Sequence, residues 1–156
     1  MLDLARYPLE RLAGQVGTPF YLYDAAPLRE NLARLALLVE GPGLACRYSV
    51  KANAARKILE LVRQGGLWID AAGGNEVLRV LRAGFAGGAD PPVITLTTDV
   101  FRDNALDVVR DHGVLPSLGS PGMIHELRHA EYRGPISVRV NPGFGHGHVQ
   151  ACDALE

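Results

Sequence analysis

The chain has 156 residues, 47% of them hydrophobic, with 16 Lys plus Arg against 17 Asp plus Glu for a formal net charge of −1. That length is about one domain with a real core, and a near-neutral charge without a basic stripe excludes nucleic acid as an expected partner. No apolar run approaches the roughly 20 residues needed to span a bilayer, so no membrane partner is expected either.

Tyr7 to Ala13 suggests a short helical lead-in that ends at Gly14 and Gly17. Thr18-Pro19-Phe20-Tyr21-Leu22-Tyr23-Asp24 is expected to be an aromatic-rich strand, with Pro19 at a first-residue or edge position. Asp24 can cap the next helix, Pro27 to Glu40, where Leu28, Leu32, Leu35 and Val39 recur at helical spacing. Gly41-Pro42-Gly43 stops it. A strand–helix unit then repeats. Leu44 to Lys51 is a strand and Ala54 to Gln64 a helix ended by Gly65-Gly66. Leu67 to Ala72 is a strand and Gly74 to Ala83 a helix closed by Gly84. Pro92 to Thr98 is a strand and Arg102 to His112 a helix closed by Gly113. Val114 to Ser120 is a strand, Pro121 to Ala130 a helix with proline in its first turn, and Ile136 to Pro142 the last strand. The tail from Gly143 to Glu156 has no clear periodicity.

Strict alternation predicts an α/β fold with parallel strands and right-handed crossovers. An open doubly wound sheet and part of a (β/α)8 barrel both satisfy it. No GxGxxG follows the first strand, which weakens the dinucleotide-binding version of the open sheet. A complete barrel takes about 250 residues, so about five βα units here would be an incomplete one.

The chemistry centres on Arg47-Tyr48-Ser49-Val50-Lys51-Ala52-Asn53. Strand alternation points Arg47, Ser49 and Lys51 one way and Tyr48 and Val50 the other. Lys51 lies where the strand gives way to a loop, the end at which parallel α/β folds build their sites. A lysine there can pair with an acid or phosphate, form a Schiff base with a carbonyl compound such as pyridoxal phosphate, or simply be solvated. Asp70, then Thr97, Thr98 and Asp99, then Ser117 and Ser120, then Arg139 and Asn141 lie at or near the ends of the other strands. Lysine, aspartate and arginine on one rim are costly unless they pair or bind something, so a site is expected there.

Other features are weaker. His146 and His148 lie in a glycine-rich run, but no third metal ligand is evident and no metal is expected. Gly73-Gly74-Asn75-Glu76 suits a tight turn before a helix, with phosphate binding as the alternative. Cys46 is expected to be a small core residue. Cys46 and Cys152 form no disulfide framework or zinc pattern, and Met1 to Arg6 lacks the layout of a signal peptide. A reducing cytoplasm is the expected location.

An ordered set of these residues resembles a known family. Thr18-Pro19-Phe20-Tyr21-Leu22-Tyr23-Asp24, Tyr48-Ser49-Val50-Lys51-Ala52-Asn53, Asp70 with Glu76, Ala83-Gly84-Phe85, and Arg139-Val140-Asn141-Pro142-Gly143 follow the amino half of diaminopimelate decarboxylase. The run Arg139 to His148 resembles particularly the enterobacterial-type branch. The resemblance implies an alanine-racemase-like, fold-type III pyridoxal phosphate enzyme, with a (β/α)8 barrel, a second β-domain and a homodimeric assembly. Residues 1–24 would then be a lead-in and a strand of the β-domain, and residues 25–156 the first part of the cofactor-binding barrel. Lys51 would hold pyridoxal phosphate covalently, with Asp70 beside that lysine and Glu76 a further acid in the pocket. Arg139 would reach the cofactor's ring hydroxyl. Gly73 stands where many relatives have serine, which removes any hydrogen bond made there.

The implied reaction is decarboxylation of the amino acid meso-2,6-diaminopimelate to L-lysine. Relatives acting on ornithine, arginine or carboxynorspermidine share much of this half, and alanine racemase fits less well. The family's stacking histidine, glycine-rich phosphate loop and acid facing the pyridine nitrogen lie beyond the matched stretch. A truncated fragment without catalysis of its own is therefore the alternative expectation.

Overall fold

The computed structural model describes residues 4–41 and 43–140. A 3-10 turn, Leu4–Arg6, and α1, Leu9–Val16, lead into α2, Ala25–Val39. Asp24 caps α2 as its sequence position suggests: its Oδ1 accepts a 2.8 Å hydrogen bond from the Ala26 backbone N–H. The Tyr7 hydroxyl donates to Asp24 Oδ2, which ties the lead-in to this helix.

Residues 18–24 form no strand. A strand needs a ladder partner, and none of the five strands in the sheet pairs with this segment. Its two tyrosines are left in water: Tyr21 is 90% exposed and Tyr23 57%.

The repeating unit takes the expected form. The strands are β1, Arg47–Ser49; β2, Trp68–Ala71; β3, Ile94–Thr98; β4, Leu115–Leu118; and β5, Ser137–Val138. The helices between them are α3, Arg56–Gln64; α4, Gly74–Arg82; α5, Ala105–His112; and α6, Pro121–His129. Local chemistry explains the boundaries. The Asn53 side-chain oxygen accepts from the Ala55 N–H at 2.9 Å, at the entry to α3. Gly113 ends α5 with φ +59, and a Cβ there would lie 2.8 Å from the Gly88 Cα. Both the dihedral and the close approach require glycine. Pro121 opens α6.

All four strand pairings are parallel, and the spatial order is β1-β2-β3-β4-β5. Sequential order without a switch point separates the two architectures that the alternation allows. A doubly wound sheet reverses direction partway, whereas a barrel adds each strand beside the last. The sheet is an unclosed arc of a barrel.

The two faces of the sheet differ sharply. Ile69, Ala71, Leu96 and Leu118 point to the helices, where Leu59, Val62, Val77, Val80, Val109 and Met123 bury them. Each Leu, Ile, Val or Met among them contributes about 1.5–3 kcal/mol by leaving water. Cys46 is half-buried against this core, as expected. The opposite face, the lumen side, carries Arg47, Ser49, Trp68, Asp70, Thr95, Thr97, Leu115, Ser117 and Ser137 by register. It is mostly polar, which a packed barrel core does not need.

Candidate functional site

The strand carrying the central lysine is shorter than expected. β1 ends at Ser49, and Val50–Ala52 form a 3-10 turn. Lys51 therefore does not continue the Arg47–Ser49 alternation, and it is exposed rather than buried. The turn is pinned from both sides. Val50 is fully buried in the core, and the Tyr48 hydroxyl donates a 3.0 Å hydrogen bond to the Asn53 carbonyl. Burial pushes the Tyr48 phenol above its usual value, with the Asn53 hydrogen bond acting the other way. Lys51 is thus held on the carboxyl-end rim by a braced turn, and its amine has no hydrogen bond or ion pair among the described residues.

Asp70 lies one strand over, beside Ser49 in register. It does not bond Lys51. Its Oδ1 accepts a 2.6 Å hydrogen bond from the Thr97 hydroxyl on β3. Below it on the lumen face, Arg47 donates to the carbonyls of Ile69 at 2.9 Å, Val93 at 3.1 Å and Pro92 at 2.8 Å. The Arg47 guanidinium also lies 4.9 Å from the Trp68 ring centroid. Burial pulls the Arg47 guanidinium below its ordinary value, and the Asp70 charge opposes that shift. The buried Thr95 hydroxyl, next to Asp70 in register, has no partner among the described residues.

Glu76 sits in the first turn of α4 and reaches back to accept a 2.8 Å hydrogen bond from the Ala72 N–H. Gly73 at the N-cap has no side chain to offer, and the Glu76 carboxylate ties the first turn of α4 to the residue before that cap. Glu76 also borders a cleft of about 260 Å³ between the β2 and β3 ends, with Thr98, Arg102 and Asn104. A larger cleft of about 540 Å³ lies at the amino end of the strands, around Pro92, Gly113 and Tyr132, far from this chemistry.

Arg139 follows β5, and its backbone N–H donates to the Leu118 carbonyl at 2.8 Å. Its side chain is half exposed and forms an ion pair with Asp99 at 3.1 Å. The structure therefore places Lys51 in the turn after β1 and Asp70 on the neighbouring strand β2, with Glu76 on the same rim. Arg139 stands three strands away from Asp70, paired with a different acid. Asn141, His146 and His148 lie outside the described residues. Sequence reasoning placed Arg47, Thr97 and Asp99 without assigning them partners. The signal for Thr97 is its register, two residues beyond the Asp70 partner Thr95 on the same face.

Known proteins resemble this chain in sequence and in fold. Residues 28–154 match the family model described as "Pyridoxal-dependent decarboxylase, pyridoxal binding domain". The chain is 37% identical over 140 residues to the diaminopimelate decarboxylase of Streptomyces coelicolor, covering 90% of this chain and 31% of that protein. It is 33% identical over 148 residues to the Escherichia coli K12 enzyme of the same name, covering 95% of this chain and 34% of that protein. A crystal structure of diaminopimelate decarboxylase superposes with a TM-score of 0.73 at 31% identity, over 90% of this chain and 32% of the other. The Selenomonas ruminantium lysine decarboxylase shares the fold, with a TM-score of 0.70 at 23% identity, over 94% of this chain and 38% of the other. The chain spans about a third of the length of the curated relatives it matches. It belongs to the pyridoxal-dependent decarboxylase family, of which it carries the pyridoxal-binding barrel segment.

Proposed function

We propose that this chain supplies the lysine-bearing half of the active site in a pyridoxal phosphate-dependent decarboxylase that converts meso-2,6-diaminopimelate to L-lysine. The observation that carries the reading is Lys51: an exposed amine, braced on the carboxyl-end rim, with no partner among the described residues. Most surface lysines are exposed too. What separates Lys51 is the turn locked around it and the polar lumen face beside it, including the unpaired Thr95 hydroxyl. These residues fit an aldehyde cofactor attached at the amine. Bound there, pyridoxal phosphate would supply an electron sink for the bond cleaved at the substrate's α-carbon.

The remaining roles belong to the chain's own side chains. Lys51 anchors the cofactor and offers its amine nitrogen as a proton carrier. Asp70, oriented by Thr97, places a negative charge next to the lysine's strand. Glu76 holds the α4 entry rigid beneath the rim. Arg139, paired with Asp99 in this structure, would supply a guanidinium for the cofactor's ring hydroxyl. Residues 1–24 belong with the β-domain in this reading, the assembly is a homodimer, and the compartment is the cytoplasm. No helix among the described residues is long and apolar enough to cross a membrane.

The substrate assignment is supported by the names of the relatives at 33–37% identity. The test uses the full-length protein. Borohydride reduction with pyridoxal phosphate should leave a pyridoxyl group on Lys51, and carbon dioxide should be released fastest from meso-diaminopimelate. Labelling of another lysine, or a clear preference for ornithine, overturns the corresponding part.

A further inference from the structure

We infer that Asp99 is the positioning residue for Arg139, and that Gly119 is glycine so that Asp99 can reach it. Asp99 follows β3, Gly119 follows β4 and Arg139 follows β5, so the pair spans the intervening strand. A Cβ built on Gly119 would run into Asp99 Oδ1 and would lie 3.0 Å from both the Asp99 Cα and Cγ. The Asp99 carboxylate occupies the space that a side chain at 119 would take. From there it meets Arg139 Nη1 at 3.1 Å to Oδ1 and 3.5 Å to Oδ2.

Both ends of this bridge are anchored. The Asp99 carbonyl accepts from the Ser120 hydroxyl at 3.2 Å, and Ser120 is the N-cap of α6. The Arg139 backbone is fixed by its hydrogen bond to Leu118. The side chains remain open to solvent, 70% exposed for Asp99 and 50% for Arg139. An exposed ion pair contributes little to stability. Three strand ends are nevertheless arranged to make this one, and the feature it controls is the direction of the Arg139 guanidinium. Without Asp99, a long side chain on the rim would sample several rotamers, and each would have to be lost again on binding.

The inference rests on the proposed role of Arg139 toward the cofactor, and the test separates the two. The first readout is ¹⁵N relaxation of the Arg139 Nε–H in the cofactor-free, full-length protein. The guanidinium should be restrained in the wild type and mobile in Asp99→Asn and in Gly119→Ala. The second is the dissociation constant for pyridoxal phosphate by fluorescence titration. Each single variant should weaken binding about threefold, the scale of one exposed charge pair, and the double variant should be no worse than either single. Asp99→Glu should recover part of the loss. Asp99→Asn keeps the side chain's shape, so it decides the matter if Gly119→Ala does not fold. Equal mobility of Arg139 in the wild type and Asp99→Asn overturns the inference. So does a cofactor affinity that falls in Arg139→Met but not in Asp99→Asn. An affinity unchanged in Arg139→Met overturns the cofactor role of Arg139 instead.

Discussion

Thr97 and Asp70 are joined by a 2.6 Å hydrogen bond between neighbouring strands on the lumen face of the barrel arc. The carboxylate is thereby oriented from β3, not from the lysine it is expected to serve. Thr97→Val keeps the shape and removes the donor. We expect a loss of about 1.5 kcal/mol, typical for a hydrogen bond to a charged group, together with weaker cofactor binding in the full-length protein. Chemical denaturation and fluorescence titration measure the two effects. An unchanged denaturation midpoint would show that the bond contributes nothing net.

Lys51 should behave in the opposite way. Its side chain is exposed and makes no hydrogen bond or ion pair among the described residues. Lys51→Ala should shift stability by no more than about 0.5 kcal/mol, as exposed sites usually do, while abolishing decarboxylation by the full-length protein. A large drop in melting temperature would reveal a structural role that the geometry does not show.

Arg47 should be the costly lumen residue. Its guanidinium serves three backbone carbonyls and lies over Trp68. Arg47→Met should destabilise by about 1–3 kcal/mol, the range for leaving half-buried polar groups without a partner. Arg47→Lys should recover only part of this, because an ammonium cannot reproduce the planar fork. Urea unfolding of the three proteins tests the order, and equal stability of the Lys variant and the wild type would refute it.

The amino-terminal lead-in carries a pH dependence. The Tyr7 hydroxyl first, then the Ala26 backbone N–H, hold the Asp24 carboxyl below its ordinary value. A depressed folded value means that unfolding favours the proton. The stabilisation is therefore complete above the unfolded value of about 3.9 and is lost as pH falls through the lower, folded value. Acid titration followed by helical circular dichroism should show an early loss in this window. Asp24→Asn should flatten it, and an identical acid limb in both proteins would refute the assignment.

Residues 1–156 studied by themselves should self-associate. Among the described residues the sheet has two free edges, β1 and β5, and its lumen face is uncovered. Val138 and Val140 are 62% and 80% exposed at one edge. Unpaired parallel edges recruit other chains. Light scattering on this piece should report oligomers, with weak cofactor binding and no turnover. A stable monomer that turns over substrate would show that the piece is a working unit.

The helical half of the fold was legible because its signal is local. Leu32, Val62, Val77 and Val109 each lie within a predicted helix, and each is buried there. Strand extents were less legible, since a strand's length depends on its neighbour. β1 stops at Ser49, two residues short of Lys51, and residues 18–24 find no neighbour at all. The positions of Lys51 and Asp70 could be read from strand ends, but their partners could not. Asp70 bonds a residue 27 positions away, and Arg139 one 40 positions away. No pattern in the intervening sequence encodes those distances. Glu76 shows the same limit, because its side chain bonds the Ala72 backbone N–H, a contact set by the turn into α4.

The sequential order of the strands bears on how the protein is made. Each strand pairs with the one synthesised just before it, and α3, α4 and α5 touch their sequence neighbours. Each parallel pairing still closes a loop of about 20 to 25 residues and is slow for that reason, but every partner strand precedes its mate in the chain. The units can therefore settle one after another as the chain leaves the ribosome, each finding its partner already in place. What these five strands leave open is the polar lumen face, with Lys51, the proposed attachment point, exposed at its rim.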